Sequence, residues 1–250
     1  MGFQAPASPV MVSIKEFHDL LLVIITCIAV FVMILMLYVL VRFNAKRNPV
    51  PARTTHNTMI EVLWTAVPVM ILVIIAIPSF KLLYYMDRTA EPDMTLKVIG
   101  HQWYWSYEYP DHGNFTFDAN MTFAEDLEDK SLRMMATDNN VVLPVGKKIR
   151  LLLTADDVLH AWGVPALGVK LDTVPGRLNE TWVEVDRPGM YYGFCSELCG
   201  VNHSYMPIAI KAVSEDEFNA WVETAKQEFA RVDEPAAGRN TRLAQTIPVE

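Results

Sequence analysis

Cysteine is scarce: the 250-residue chain has three. That excludes the disulfide framework that staples many small secreted domains. Charge is missing from two stretches. Leu20 to Val41 runs 22 residues without a charged side chain, and Val62 to Phe80 runs 19. A 22-residue helix is ~33 Å long at ~1.5 Å per residue, enough to cross the hydrocarbon core of a bilayer. The first run is too long for the h-region of a secretory signal, and no small-residue cleavage site follows it. No run beyond Lys81 is long enough to span. The chain therefore reads as an external N-terminal segment (1–18), a transmembrane hairpin (19–86, spans at about 19–42 and 60–84) and a polar domain.

Acids are absent from residues 42–60, which carry Arg42, Lys46, Arg47 and Arg53. The positive-inside rule puts that loop in the cytoplasm or its equivalent. The N-terminus and the polar domain then face the periplasm or an intermembrane space, as in a bacterial or mitochondrial inner membrane. A basic excess is also absent. Residues 82–250 hold 15 Lys and Arg against 26 Asp and Glu, 15 − 26 = −11, while the whole chain stands at −8. This excludes a nucleic-acid partner, which needs a basic face. It suits a basic protein steered in by the field, although a merely solvated acidic domain carries the same charge.

There is no internal repeat. Residues 1–13, rich in proline and small side chains, are expected to be extended. Thr58–Glu61 has a capping-box pattern before the second span. After a polar exit loop at 87–93, β-type runs appear at about 95–109, 132–136, 149–154, 181–185, 190–194 and 207–213. Pro, Gly and Asp/Asn clusters separate them, which predicts an all-β sandwich or barrel over 87–213. Ser214–Glu217 is a second capping box, opening a helix predicted over 214–231. Residues 232–250 have no periodicity and read as an extended tail.

The densest chemistry lies in Cys195–Met206, a C-x3-C-x3-H-x2-M pattern with His203 and with Glu197 between the thiols. Asp157-Val-Leu-His160-Ala-Trp adds a second imidazole 35 residues upstream of Cys195. Cys27 sits inside the first apolar run and reads as an inert small hydrophobe. A structural zinc site has no use for methionine. A mononuclear blue-copper site wants two His, one Cys and a weak axial Met. One cysteine more than that suits two coppers bridged by two thiolates. Each metal then keeps one His and one weak ligand, Met206 on one side and a group near Glu197 on the other. A Cys195–Cys199 disulfide is the plain alternative in an oxidising compartment.

At this point the chain resembles the cytochrome c oxidase subunit II family along nearly its whole length. The residues that carry the resemblance are the two spans with their basic loop, the aromatic run Gly100–Tyr109, the His160 segment and the Cys195–Met206 motif. The resemblance implies a cupredoxin-like β-sandwich or barrel behind an N-terminal transmembrane hairpin, holding a dinuclear copper A centre. Its ligands would be His160, Cys195, the Glu197 carbonyl, Cys199, His203 and Met206. The Glu197 side chain would help bind a magnesium or manganese ion shared with the catalytic subunit, a hard ion suited to a carboxylate. Trp103 matches the tryptophan that receives the electron from cytochrome c. Glu61 matches an acid at the cytoplasmic entrance of a proton pathway, and it equally suits the plain role of helix cap and macrodipole partner. Glu108, Asp111, Asp138 and Asp157 are the candidates for docking a lysine-rich cytochrome c. Implied partners are cytochrome c, the haem–copper catalytic subunit I, other oxidase subunits and membrane lipids. Oxygen reduction and proton pumping would occur in the catalytic subunit. Three rivals fit parts of the pattern. A quinol oxidase subunit II would lack the intact copper ligands, and a nitrous oxide reductase would bring a propeller-type region and no spans. A membrane-anchored assembly protein would use the cysteines as a disulfide.

Overall fold

The computed structural model describes residues 2–50, 52–87 and 91–229. Two long helices come first, α1 (Pro9–Arg42) and α2 (Thr58–Asp87). Their apolar side chains are largely exposed, as expected of surfaces that meet lipid or partner subunits. Helix α1 starts well before residue 14, so the expectation of an extended segment over 1–13 is wrong. Ser8 supplies the N-cap, its hydroxyl accepting from Met11 N at 2.9 Å, and Pro9 occupies the first helical turn. Helix α2 is capped one residue earlier than the Thr58 pattern suggested. Asn57 Oδ1 accepts from Ile60 N, and Glu61 Oε1 accepts from Asn57 N, both at 3.2 Å.

Beyond the hairpin lie ten strands in two five-stranded sheets, with no membrane-length helix among the described residues. They are β1 (Met94–His101), β2 (Tyr104–Tyr109), β3 (Phe115–Ala119), β4 (Val141–Pro144) and β5 (Ile149–Ala155), then β6 (His160–Val164), β7 (Val169–Thr173), β8 (Asn179–Val183), β9 (Gly189–Cys195) and β10 (Pro207–Val213). One sheet runs β3-β2-β1-β5-β8 and the other β4-β10-β9-β6-β7. β1 pairs with β5, and β4 with β10, in parallel; the other pairings are antiparallel.

Alternation builds the core. In β5, Ile149, Leu151 and Leu153 point inward and are fully buried. Aromatic residues do the same in β2 and also tie the sheets together. Trp105 Nε1 donates to Met206 O, Trp162 Nε1 donates to Tyr107 Oη, and Tyr109 Oη donates to Val142 O. Each large ring thus buries its apolar body while its polar tip finds a partner. Helix α3 (Glu215–Glu228) packs along the edge strands β3 and β4 with Phe218, Val222 and Ala225 buried, and its Ser214–Glu217 capping box is present.

Other sequence expectations shift. The run at 95–109 is a hairpin, because His101 pairs with Tyr104 and leaves Gln102–Trp103 as a two-residue turn. Residues 132–136 form no strand: Met135 N and Ala136 N both bond to Leu132 O, and Met134 has φ 64°, which breaks an extended chain. β3, β4, β6 and β7 were not predicted. The tail expected at 232–250 and the end of the helix expected to reach 231 lie outside the described residues.

Candidate metal centre

The upstream histidine and the C-terminal motif meet at one end of the sandwich. His160 opens β6, Cys195 ends β9, and the loop 196–206 returns to β10. Cys195 Sγ lies 3.9 Å from His160 Nδ1 and 3.9 Å from Cys199 Sγ. Cys199 Sγ in turn lies 3.5 Å from His203 Nδ1 and 3.5 Å from Met206 Sδ. The Glu197 carbonyl stands 3.3 Å from Cys195 Sγ. All six groups named from the sequence therefore share one cluster. Its thiols are buried and free, and their separation is nearly twice the ~2.05 Å of a disulfide.

The cluster is held from outside. His160 is fully buried; its Nε2 faces Asp157 Oδ1 at 2.9 Å, which leaves Nδ1 to face the thiols. Asp157 also accepts from Val158 N at 2.6 Å and Gln102 N at 2.7 Å. Gly100 presses on the imidazole so closely that a Cβ there would lie 2.8 Å from His160 Cδ2. Burial opposes charging His160, but hydrogen bonds with Cys195 and Asp157 outweigh it and raise its pKa. Burial likewise opposes ionising Cys195, yet His160 and nearby backbone groups lower its pKa on balance. Cys199 goes the other way, raised by burial and then by the charge of Cys195. One thiolate forms readily; the second needs a cation beside it. Such a buried set of soft donors fits copper, whose binding displaces the thiol protons.

Trp103 comes to the rim of this cluster. The two-residue turn lays its indole on Gly200, where a Cβ would meet Trp103 Cζ2 at 3.0 Å. Gln102 Nε2 donates to Cys199 O at 2.8 Å. Gln102 and Gly200 were missed by the sequence reading, though each adjoins a residue it named. Gly200, at φ 123°, gives the loop a conformation that side chains disfavour and leaves room for the indole.

The acids separate. Asp157 and Asp138 lie at the end of the sandwich that holds the thiols, Asp138 by its bonds to Asn120 N and Asn139 N. Asp111 caps the far end of β1 by accepting from Thr95 N at 2.6 Å, and Glu108 is engaged by Lys97 at 3.0 Å. Nearer the Trp103 turn, exposed Asp156 faces His101 Nδ1 at 3.6 Å, and Asp118 accepts from Ser106 Oγ at 2.6 Å. Glu61 is far off, in the first turn of α2 at the opposite end of the hairpin.

A family model described as cytochrome c oxidase subunit II, periplasmic domain, matches residues 94–213, and one for the transmembrane domain of the same subunit matches 1–82. The chain belongs to the cytochrome c oxidase subunit II family. A probable cytochrome c oxidase subunit 2 from Rickettsia bellii is 50% identical over 244 residues, 98% of this chain and 88% of the relative. Cytochrome c oxidase subunit 2 of Phytophthora megasperma is 48% identical over 227 residues, 89% of this chain and 85% of the relative. Among solved structures, the periplasmic domain of subunit II of cytochrome oxidase from Bradyrhizobium japonicum is 51% identical with a TM-score of 0.54. It covers 57% of this chain and 100% of its own. This subunit II is thus part of a haem–copper oxidoreductase complex. Two helices hold it in the membrane, with a cupredoxin-like domain on the periplasmic side.

Proposed function

We propose that this subunit accepts single electrons from cytochrome c at a dinuclear copper A centre and delivers them to the catalytic subunit. The observation that carries the reading is the buried cluster of two free thiols 3.9 Å apart, flanked by His160, His203 and Met206. His160, Cys195, the Glu197 carbonyl, Cys199, His203 and Met206 would hold the metal. A dinuclear copper centre held there would supply one-electron redox chemistry.

The chain's own residues do the rest. Asp157 fixes the His160 ring so that Nδ1 keeps its lone pair for the metal. Trp103, packed on Gly200 next to Cys199, receives the electron at the surface and passes it inward. Asp157, Asp138, Glu108 and Asp111 contribute to the field that draws in a basic donor. The Glu197 side chain, half-buried beside the thiols, would help hold magnesium or manganese at the boundary with the catalytic subunit. Glu61 would admit protons at the cytoplasmic end to a pumping partner.

Copper analysis of the assembled oxidase tests the reading. Two coppers per subunit II with a mixed-valence paramagnetic signal are expected. A metal-free, disulfide-bonded domain in a fully active complex would sink it.

A further inference from the structure

The membrane hairpin carries a cleft that the electron-transfer reading leaves unused. It has a volume of ≈ 440 Å³ and lies between α1 and α2, lined by Glu16, Phe17 and Leu20 on one side and Pro78, Lys81 and Tyr85 on the other. Its height is fixed by the external domain. Tyr85 O accepts from Trp182 Nε1 at 3.2 Å, and the two rings meet edge-on at 5.4 Å. On α1, Ser8 Oγ donates to Leu167 O at 2.7 Å, about two helical turns above Glu16. Both walls are therefore tied to the β domain within about two to three helical turns. Lys81 lies six residues before the end of α2, ~9 Å along the axis at ~1.5 Å per residue. It directly follows the uncharged run Val62–Phe80, which places it at headgroup depth on the external side.

Two opposite charges line this mostly apolar cleft without meeting. Among the described residues neither Glu16 nor Lys81 has an ion-pair partner, while the neighbouring cation Lys15 is taken by Asp19 at 2.6 Å. Lysine near a helix end normally snorkels to a phosphate or to water. A carboxylate facing the same cleft rejects a purely anionic headgroup. The pair complements a headgroup with a phosphate and, a few bonds away, an ammonium. A primary ammonium also donates hydrogen bonds to the carboxylate, which a quaternary one cannot.

We propose that this cleft binds one phosphatidylethanolamine of the outer leaflet. Lys81 takes the phosphate, Glu16 takes the ammonium, and Phe17, Leu20 and Pro78 line the start of the acyl chains.

The assembled oxidase, purified in mild detergent from a membrane containing ethanolamine and glycerol lipids, tests this by analysis of co-purifying phospholipid. Wild type should retain phosphatidylethanolamine in preference to phosphatidylglycerol. K81Q should lower total retention at this site about tenfold, the factor expected for one lost charged hydrogen bond. E16Q should remove the preference between the two lipids while keeping the phosphate contact. A photo-crosslinker in place of Leu20 should give a lipid adduct in wild type and lose it in K81Q. Equal retention in wild type and both variants overturns the proposal, as does a crosslink to a protein subunit in place of lipid. Haem and copper content report assembly, and the crosslinker at Leu20 in an otherwise wild-type complex keeps the test open if K81Q fails to assemble.

Discussion

Replacing Asp157 with alanine should loosen the subunit's hold on copper without unfolding it. The carboxylate accepts three hydrogen bonds, from Gln102 N, Val158 N and His160 Nε2. The backbone pair lies at a partly exposed turn, where water can replace a lost acceptor. His160 is fully buried, and water cannot do so there. The loss therefore falls on the imidazole, which is free to turn or to adopt the tautomer with its proton on Nδ1. A charged hydrogen bond is worth roughly 1.5–3 kcal/mol, or about 10–100-fold in affinity. Carboxylates behind metal-bound histidines generally act on that scale.

Asparagine should fall between alanine and wild type, since its carbonyl serves one set of donors while its amide faces another. The assay is copper loss from the assembled oxidase to a chelator, followed by the thiolate–copper absorption and by paramagnetic resonance. Asp157 also carries charge near the Trp103 turn, so cytochrome c affinity will change in both variants. That change should be similar for alanine and asparagine, because both remove one charge, whereas copper loss should be graded. Wild-type copper retention in the alanine variant would refute the positioning role.

Docking and titration give two further outcomes. Turnover with cytochrome c should weaken as salt rises, and charge reversal at Asp156 should raise KM more than reversal at Asp111, which lies at the far end of β1. Equal effects, or flat salt dependence, would count against docking at the Trp103 end. His101 and His112 both have pKa values lowered, chiefly by burial and against the pull of nearby aspartates. A depressed histidine holds its stability contribution above its unfolded pKa and loses it as pH falls from about 6.5. Melting temperature should therefore drop on acidification, and His112→Phe should flatten that slope; an unchanged slope would show that His112 takes no part.

The site was more legible in sequence than the sheets around it. Copper-type donors are chemically rare, so Cys195, Cys199, His203 and Met206 stood out within one loop. His160 needed the fold, because 35 residues separate it from Cys195. The strands β6 and β4 were missed because every residue in them is buried, which erases the period-two signal. The opposite error arose at 95–109, where Gln102 and Trp103 are not common turn residues and continue an aromatic run. Their turn is held by tertiary bonds to Asp157 and Cys199 that no local pattern announces. For the same reason the docking acids could only be ranked by nearness in sequence, which put Asp111 and Glu108 on the same footing as Asp157.

The cleft and the copper loop depend on one shared feature, the clasp that seats the β domain on the hairpin. Ala7 N donates to Ala166 O, Asp186 N donates to Ala7 O, and Arg187 reaches Pro6 O. β6 then runs from the clasp to His160 over about four residues, ~13 Å at ~3.3 Å per residue. The clasp thus sets the height of the copper loop above the membrane. At Gly168, with φ 69°, an added Cβ would lie 3.0 Å from Ile14 Cδ1 and 3.1 Å from Met11 backbone atoms, so the start of α1 would have to give slightly. Alanine there costs about 1–2 kcal/mol in backbone conformation, and Met11, at the start of α1, must shift to admit it. Copper content should stay at wild type, because no ligand touches Gly168. Electron transfer from the copper centre to haem, measured by flash photolysis in the assembled oxidase, should slow. A G168A enzyme that transfers electrons at the wild-type rate would show that another contact holds the domain at its working height.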